Sequence, residues 1–163
     1  MTGHDAIRFA FKTARNLTHL LTEDLSDADL LVRPVPGANH VAWQLGHLIT
    51  STHKMLGQHL GARAPALPAG FVDRHNEAAS HSESNEGYLT KAAYLDLMDR
   101  MIEAATSTSA AMPDSALDGP NPGSLAKLAP TVGMLFQLAG EHILMHLGQF
   151  STLRRALGKP HKF

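Results

Sequence analysis

The segment EHILMHLGQF, residues 141–150, continues into STLRRALGKP and contains the clearest structural pattern of the chain. Its apolar residues recur at intervals of three and four, which predicts an amphipathic helix. The residues with this spacing are Leu135, Leu138, Ala139, His142, Met145, His146, Gln149 and Leu153. The apolar members of this set mark the predicted core-facing stripe, and both histidines lie on it. The basic pair at 154–155 suits the carbonyl end of a helix, and Gly158 with Pro160 predicts its end.

Two histidines lie on that predicted stripe, four residues apart. On a helix this spacing leaves the side chains of His142 and His146 about 40° apart around the axis and one turn apart along it. Two imidazoles placed in this way can bind one metal ion from the same face. The alternative is a pair of core histidines satisfied by their neighbours, and an unpaired polar group there would be costly.

Composition sets the class of protein. A chain of 163 residues is long enough for one domain with a full core, so residues 1–163 are predicted to form a single domain. The chain contains no cysteine, which excludes disulfides, thiolate metal sites and a cysteine nucleophile. A net charge of -1 argues against nucleic acid or an anionic membrane as partner. With no signal peptide and no apolar span of about 20 residues, a soluble, cytoplasmic protein is expected.

Three further segments have helical patterns. They cover residues 5–23, residues 39–60 with Asn39 as the N-cap, and residues 90–111 with Thr90 as the cap. Together with the histidine helix, which begins near Thr131, they predict an all-α four-helix bundle.

Residues 61–90 separate the second and third helices and are predicted to be irregular, with a short helix at 72–80. This segment carries several polar candidates for ligands or substrate contacts: His75, Glu77, His81, Glu83 and Glu86. A solvated polar loop is the favoured interpretation, although a loop of this length in a compact domain often has a function.

Metal sites in helical bundles are built from inward side chains of facing helices, so a third ligand is expected on another helix. His47 lies well inside the second helix, one turn after Trp43, and is the first choice. His19 in the first helix is the second choice, because it lies beside the main apolar stripe.

Two motifs give the chain a resemblance to the DinB/YfiT-like family of metalloenzymes over nearly its whole length. The segment NHVAWQLGHL, residues 39–48, resembles the family's Trp-x-x-x-His-Leu element. The segment HILMHLGQ, residues 142–149, is similar to its His-x-x-x-His-x-Gly-Gln element. The resemblance implies a four-helix bundle with a mirror-like connection order and a metal site formed by His47, His142 and His146.

The resemblance also implies a class of function. Members with assigned activities include thiol transferases that use bacillithiol or mycothiol, and a mycothiol-dependent maleylpyruvate isomerase. We therefore expect a metal-dependent enzyme, a transferase with a low-molecular-weight thiol or a hydrolase-like enzyme, acting on a small molecule. The alternative is a helical bundle that binds a metal or small ligand without catalytic turnover.

Three imidazoles leave a divalent ion with an open position, and zinc or nickel suits an all-nitrogen ligand set. The catalytic group would then be metal-bound water or a metal-bound thiolate, with Gln149 orienting a ligand or binding substrate. A homodimer is also expected, because the resemblance implies that one is common and because four short helices leave a partly apolar outer face to cover. The candidates for that face are Ile7, Phe9, Leu153, Leu157 and Phe163.

Overall fold

The computed structural model describes residues 1–162, and over these residues the chain is all-helical, as predicted. Four helices are long and three consist of a single turn. In chain order they are α1 (Gly3–Thr22), α2 (Val41–Leu60), α3 (Phe71–Arg74), α4 (Glu77–Ser80), α5 (Lys91–Ala111), α6 (Asp114–Leu117) and α7 (Val132–Ala156). Short 3₁₀ turns at Asp29–Leu31 and Gly61–Arg63 complete the helical elements of these residues.

Side-chain caps fix where the long helices begin. The predicted cap of α5 is confirmed, and α7 begins where it was predicted to begin. The hydroxyls of Thr90 and Thr131 accept hydrogen bonds from backbone N–H groups of the first turn of these helices. The prediction for α2 was wrong by one residue: His40, not Asn39, is the N-cap, and its Nδ1 accepts from the Trp43 N–H at 3.1 Å. An imidazole nitrogen can serve the same orphan donor as an Asn side chain.

The packing order of the long helices brings α2 beside α7. Helix α1 packs against α5 and α7, and α2 packs against the same two helices on the other side. The α1–α7 contact is close because a Cβ at Gly140 would lie only 3.1 Å from the Cβ of Ala10. Residues of α2 and α7 can therefore share a site although about a hundred residues separate them in sequence.

The buried face of α7 differs from the predicted stripe. Its buried residues are Val132, Leu135, Phe136, Ala139, Gly140, Ile143, Leu147, Phe150, Leu153 and Arg154. Met145 is 69% exposed and Gln149 is exposed, so the stripe was predicted too far around the helix. Apolar residues occur on several faces of α7, and only the packing partners select the buried one. His142 and His146 consequently lie half-buried at the edge of the core.

Arg154 has a structural role that its position near the helix end does not indicate. Its side chain is 3% exposed and donates to the carbonyl oxygens of Leu21 and Pro160. It also forms an ion pair with the carboxylate of Asp24, which lowers the pKa of that carboxyl to about 2. The arginine thus ties the end of α7 to the segment that follows α1.

The connection at 61–90 is more ordered than predicted. It contains α3 and α4 in place of one short helix at 72–80. His75 is 1% exposed, so its placement in a mobile, solvated loop was wrong. The other polar candidates of this segment are exposed, as the favoured interpretation required: Glu77, His81, Glu83 and Glu86.

The predicted outer face for a dimer is partly internal, and its residue Leu157 is half-buried. Ile7 is 2% exposed and Leu153 is fully buried, because both belong to the core between α1 and α7. Phe9 is 68% exposed, whereas Phe163 lies outside the described residues. The homodimer itself stays a prediction.

Among the described helices, none combines the length and apolar character needed to cross a membrane.

Candidate metal centre

Three histidines from α2 and α7 form one cluster. His47, His142 and His146 each offer a ring nitrogen, and these nitrogens all lie within 4.8 Å of one another. The ring centroid of His47 is 5.4 Å from that of His142 and 5.2 Å from that of His146. The packing of α2 against α7 therefore brings together the three residues chosen from the sequence.

Trp43 holds the ring of His47 in place. The two rings are stacked, with centroids 4.8 Å apart and planes 12° from parallel, as expected for residues one turn apart. The Trp43 Nε1–H in turn donates to the carbonyl oxygen of Asn76 at 3.2 Å. The indole is thus fixed at its far edge, and it restricts the orientation that the imidazole can take.

Gln44 determines which nitrogen of His146 is free. The Gln44 amide is 1% exposed, and its NH₂ group donates to the Asn39 carbonyl oxygen at 2.8 Å. Its Oε1 therefore faces His146 and accepts from the Nδ1–H at 3.1 Å. With the proton held on Nδ1, the lone pair of Nε2 is available to a metal ion. Gln44 was not among the residues predicted for the site, because its only sequence signal is a polar residue one position after Trp43.

The surroundings of the three histidines favour their neutral form. Burial lowers the pKa of His47 and of His142, and the neighbouring His142 adds to the effect of burial on His47. Burial, followed by the effects of His142 and His47, lowers the pKa of His146 to about 4. Neutral imidazole is the form that binds a metal ion, so all three are ready to act as ligands near neutral pH.

These residues fit a divalent metal ion. His142 Nδ1 is buried without a hydrogen-bond partner among the described residues, and such a buried polar atom is costly unless something satisfies it. Metal–nitrogen bonds of about 2.0–2.1 Å require the three rings to rotate slightly inward from their present spacing. Within residues 1–162 no fourth side chain joins the three nitrogens, and this set matches an open metal site rather than a closed structural one.

A buried histidine outside the cluster packs against α2 next to His47. His75 packs on Gly46 so closely that a Cβ at position 46 would lie 2.0 Å from the imidazole. The ring donates from Nδ1 to the Phe71 carbonyl oxygen at 2.7 Å and accepts at Nε2 from the Tyr94 hydroxyl at 2.7 Å. Helix α2 is therefore fixed against α3 and α5 at the position immediately before His47.

A cavity of about 470 Å³ opens beside the cluster and is lined by two of its histidines, His47 and His142. The remaining lining residues are Ser51, Lys54, Met55, Gln58, Asn121, Gly123, Ser124, Leu125, Leu128, Leu135, Leu138 and Met145. Asn121 shapes one wall, because its side chain donates to the Ala129 carbonyl oxygen and accepts from the Gly123 N–H, each at 2.9 Å. The volume suits a small organic molecule.

The other candidates are outside the site. Gln149 is exposed and is not among the residues that line the cavity. Glu141 is exposed and accepts from Gln137 at 2.9 Å, so it does not supply a fourth ligand. His19 lies 3.0 Å from the Asp99 carboxylate on the opposite side of the core, which removes the second choice for the third ligand. His53, on α2, is also outside the cluster.

No curated protein and no solved structure matches the chain at a significant level. The family model of the DinB superfamily, in contrast, matches residues 10–150 and thus covers most of the chain, including α2 and all three clustered histidines. This chain belongs to the DinB superfamily.

Proposed function

We propose that this protein is a metal-dependent enzyme that holds one divalent ion, zinc or nickel, with His47, His142 and His146. The observation that carries the proposal is the set of three neutral imidazoles beside a cavity of about 470 Å³. We further infer that the four long helices constitute the four-helix bundle that the resemblance implies.

The reaction that fits best is transfer to a low-molecular-weight thiol. A bound divalent ion would keep the sulfur of such a cosubstrate as thiolate, its nucleophilic form. The chain contains no cysteine, so a thiol nucleophile has to come from outside. His47 and His142 line the cavity, so a thiol at the ion would face a second reactant bound there, and Gln44 keeps the proton on His146 Nδ1.

Hydrolysis is favoured less by the surroundings of the site. A hydrolytic reaction needs a general base within hydrogen-bond reach of its nucleophile. Among the described residues, no Asp or Glu lines the cavity. The same observation favours the second candidate function, a bundle that binds a metal or small ligand without turnover.

Metal content and thiol binding test the proposal together. Protein purified without chelator should carry close to one divalent ion per chain, and His47→Ala, His142→Ala or His146→Ala should lose most of it. His53→Ala on the same helix as His47 is the matched control and should keep its ion. Full occupancy in His47→Ala would remove that residue from the ligand set.

A cobalt-loaded sample then separates the two candidate functions. A thiol that enters the open position should produce a sulfur-to-cobalt charge-transfer absorption, which the His146→Ala variant should lack. Enzymatic function further requires faster transfer of that thiol to an added electrophile than in a solution with free thiol alone. Binding of metal and thiol without such acceleration would favour the bundle without turnover.

A further inference from the structure

The cavity beside the three histidines has one strongly polar point that the proposed function does not use. Lys54 lines the cavity, and among the described residues its ammonium group has no ion-pair or hydrogen-bond partner. The other lining residues are neutral side chains and the two histidines, whose pKa values burial lowers. An unpaired cation therefore faces a cavity without an opposing carboxylate.

The position of Lys54 relative to the histidines follows from helix geometry. Lys54 comes seven residues after His47 on α2, so it lies nearly two turns further along the same line of the helix. The distance along the axis is about 10 Å at 1.5 Å per residue. Ser51 lies between them, one turn after His47, and also lines the cavity.

The walls between these two ends are mainly apolar. Leu135 and Leu138 of α7 and Met55 of α2 line the cavity, and Leu128 and Met145 are each 69% exposed at its edge. Exposed large apolar side chains beside a cavity are typical of a binding site. The cavity thus combines a metal-ligand cluster, an apolar middle section and a cation.

We propose that Lys54 determines the specificity of this cavity by pairing with a carboxylate or another anionic group of the ligand. The ligand is then a small, elongated molecule with an apolar body and an anionic group at the end away from the atom that faces the histidines, with a length on the order of the roughly 10 Å rise between the two helix positions. This inference rests on the proposed function, since it assigns the substrate class of the same site.

Three thiols that differ only in their far end test the inference. The probes are 6-mercaptohexanoate, 6-mercaptohexan-1-ol and 6-mercaptohexylamine, each titrated into cobalt-loaded protein at low ionic strength. The charge-transfer absorption reports binding through sulfur, and its concentration dependence gives the Kd. Wild-type protein should bind the carboxylate about three- to fivefold more tightly than the alcohol, as for an exposed ion pair, and the amine least tightly.

Charge reversal makes the outcome decisive. Lys54→Glu should reverse the order of the three probes, and Lys54→Gln should remove the preference for the carboxylate. Lys12→Glu is the matched control, because Lys12 is exposed on α1 away from the cavity and its replacement changes the net charge equally. It should leave the order of the probes unchanged. Since Lys54 is exposed on its helix, its variants are expected to fold.

Two kinds of failure can be told apart. If all three thiols produce the absorption but Lys54→Glu keeps the wild-type order, the inference is overturned and the proposed function stands. A change of order in Lys12→Glu as large as in Lys54→Glu would overturn it as well, because the effect would then come from net charge. If no thiol produces the absorption in wild-type protein, the proposed function fails and the inference falls with it.

Discussion

Replacement of Gln44 by methionine should weaken metal binding without removing a ligand. In the metal-bound state His146 must keep its proton on Nδ1, because Nε2 is the nitrogen left free for the ion. Gln44→Met keeps a side chain of similar length but removes the acceptor 3.1 Å from that N–H. In the metal-free protein the proton can move to the other nitrogen, so the loss falls mainly on the bound state.

The magnitude follows from two independent estimates. A buried N–H left without an acceptor costs about 1–3 kcal/mol. Removing a residue that orients a metal-binding histidine typically lowers metal affinity about 10- to 100-fold, which corresponds to about 1.4–2.7 kcal/mol. The two ranges agree, so a decrease in zinc affinity of one to two orders of magnitude is expected.

Competition with a chromophoric chelator at neutral pH measures this change. Gln44→Glu keeps an acceptor towards His146 and should bind zinc more tightly than Gln44→Met. Gln137→Met is the control, because the Gln137 amide bonds to Glu141 and not to a ligand. Wild-type affinity in Gln44→Met, with the fold intact by circular dichroism, would refute the argument that Gln44 fixes the proton on His146.

Three further predictions concern stability. Gly46→Ala places a Cβ 2.0 Å from the His75 ring and should lower the free energy of unfolding, measured by urea denaturation, by about 1–3 kcal/mol. The control is Gly57→Ala, whose Cβ would meet nothing closer than 3.9 Å and which should be neutral or stabilising. Equal losses of stability in the two variants would contradict the close packing at Gly46. Burial, with smaller effects of Arg33 and His75, lowers the pKa of His40 from 6.5 to about 4. The unfolded chain therefore binds a proton at His40 more strongly than the folded chain does, and stability falls as pH decreases from 6.5 towards 4. His40→Asn keeps an N-cap acceptor but removes this titrating group. In the presence of chelator, the slope of the free energy of unfolding against pH should be shallower in this variant by about 1.4 kcal/mol per pH unit near pH 5. An unchanged slope would argue against a lowered pKa of His40. Removing the metal should lower Tm by about 5–10 °C at free ion near 100 Kd but leave the helices formed, and loss of the circular dichroism signal would instead indicate a structural ion.

The cap and core patterns in the sequence located the long helices because those signals are local. Thr90 caps α5 as predicted, and α7 begins after Thr131 as predicted, since an N-cap hydroxyl acts on N–H groups two or three residues away. The stripe of α7 was less predictable, because apolar residues lie on several of its faces. Only contact with α1 and α2 leaves Met145 exposed and buries Ile143.

The long connection illustrates the limit of reasoning from composition. His75 lies among Ser, Asn and Glu residues, which predicted a solvated position. Its burial depends on a glycine 29 positions earlier in the chain and on the hydroxyl of Tyr94, 19 positions later. Neither partner has a sequence signal, because contacts between distant segments arise only when the helices pack.

The all-helical class and the four long helices follow from local sequence patterns. Helical periodicity places His142 and His146 on one face and Trp43 one turn before His47, whereas His47 was selected as third ligand by its place inside a predicted helix and by the family resemblance. The other features of the site depend on tertiary packing. Packing of α2 against α7 brings the three imidazoles together, directs Gln44 to His146, and places Lys54 in the same cavity as the histidines. These relations depend on which helices are neighbours and on their rotation about their axes, and the sequence pattern of a single helix contains neither.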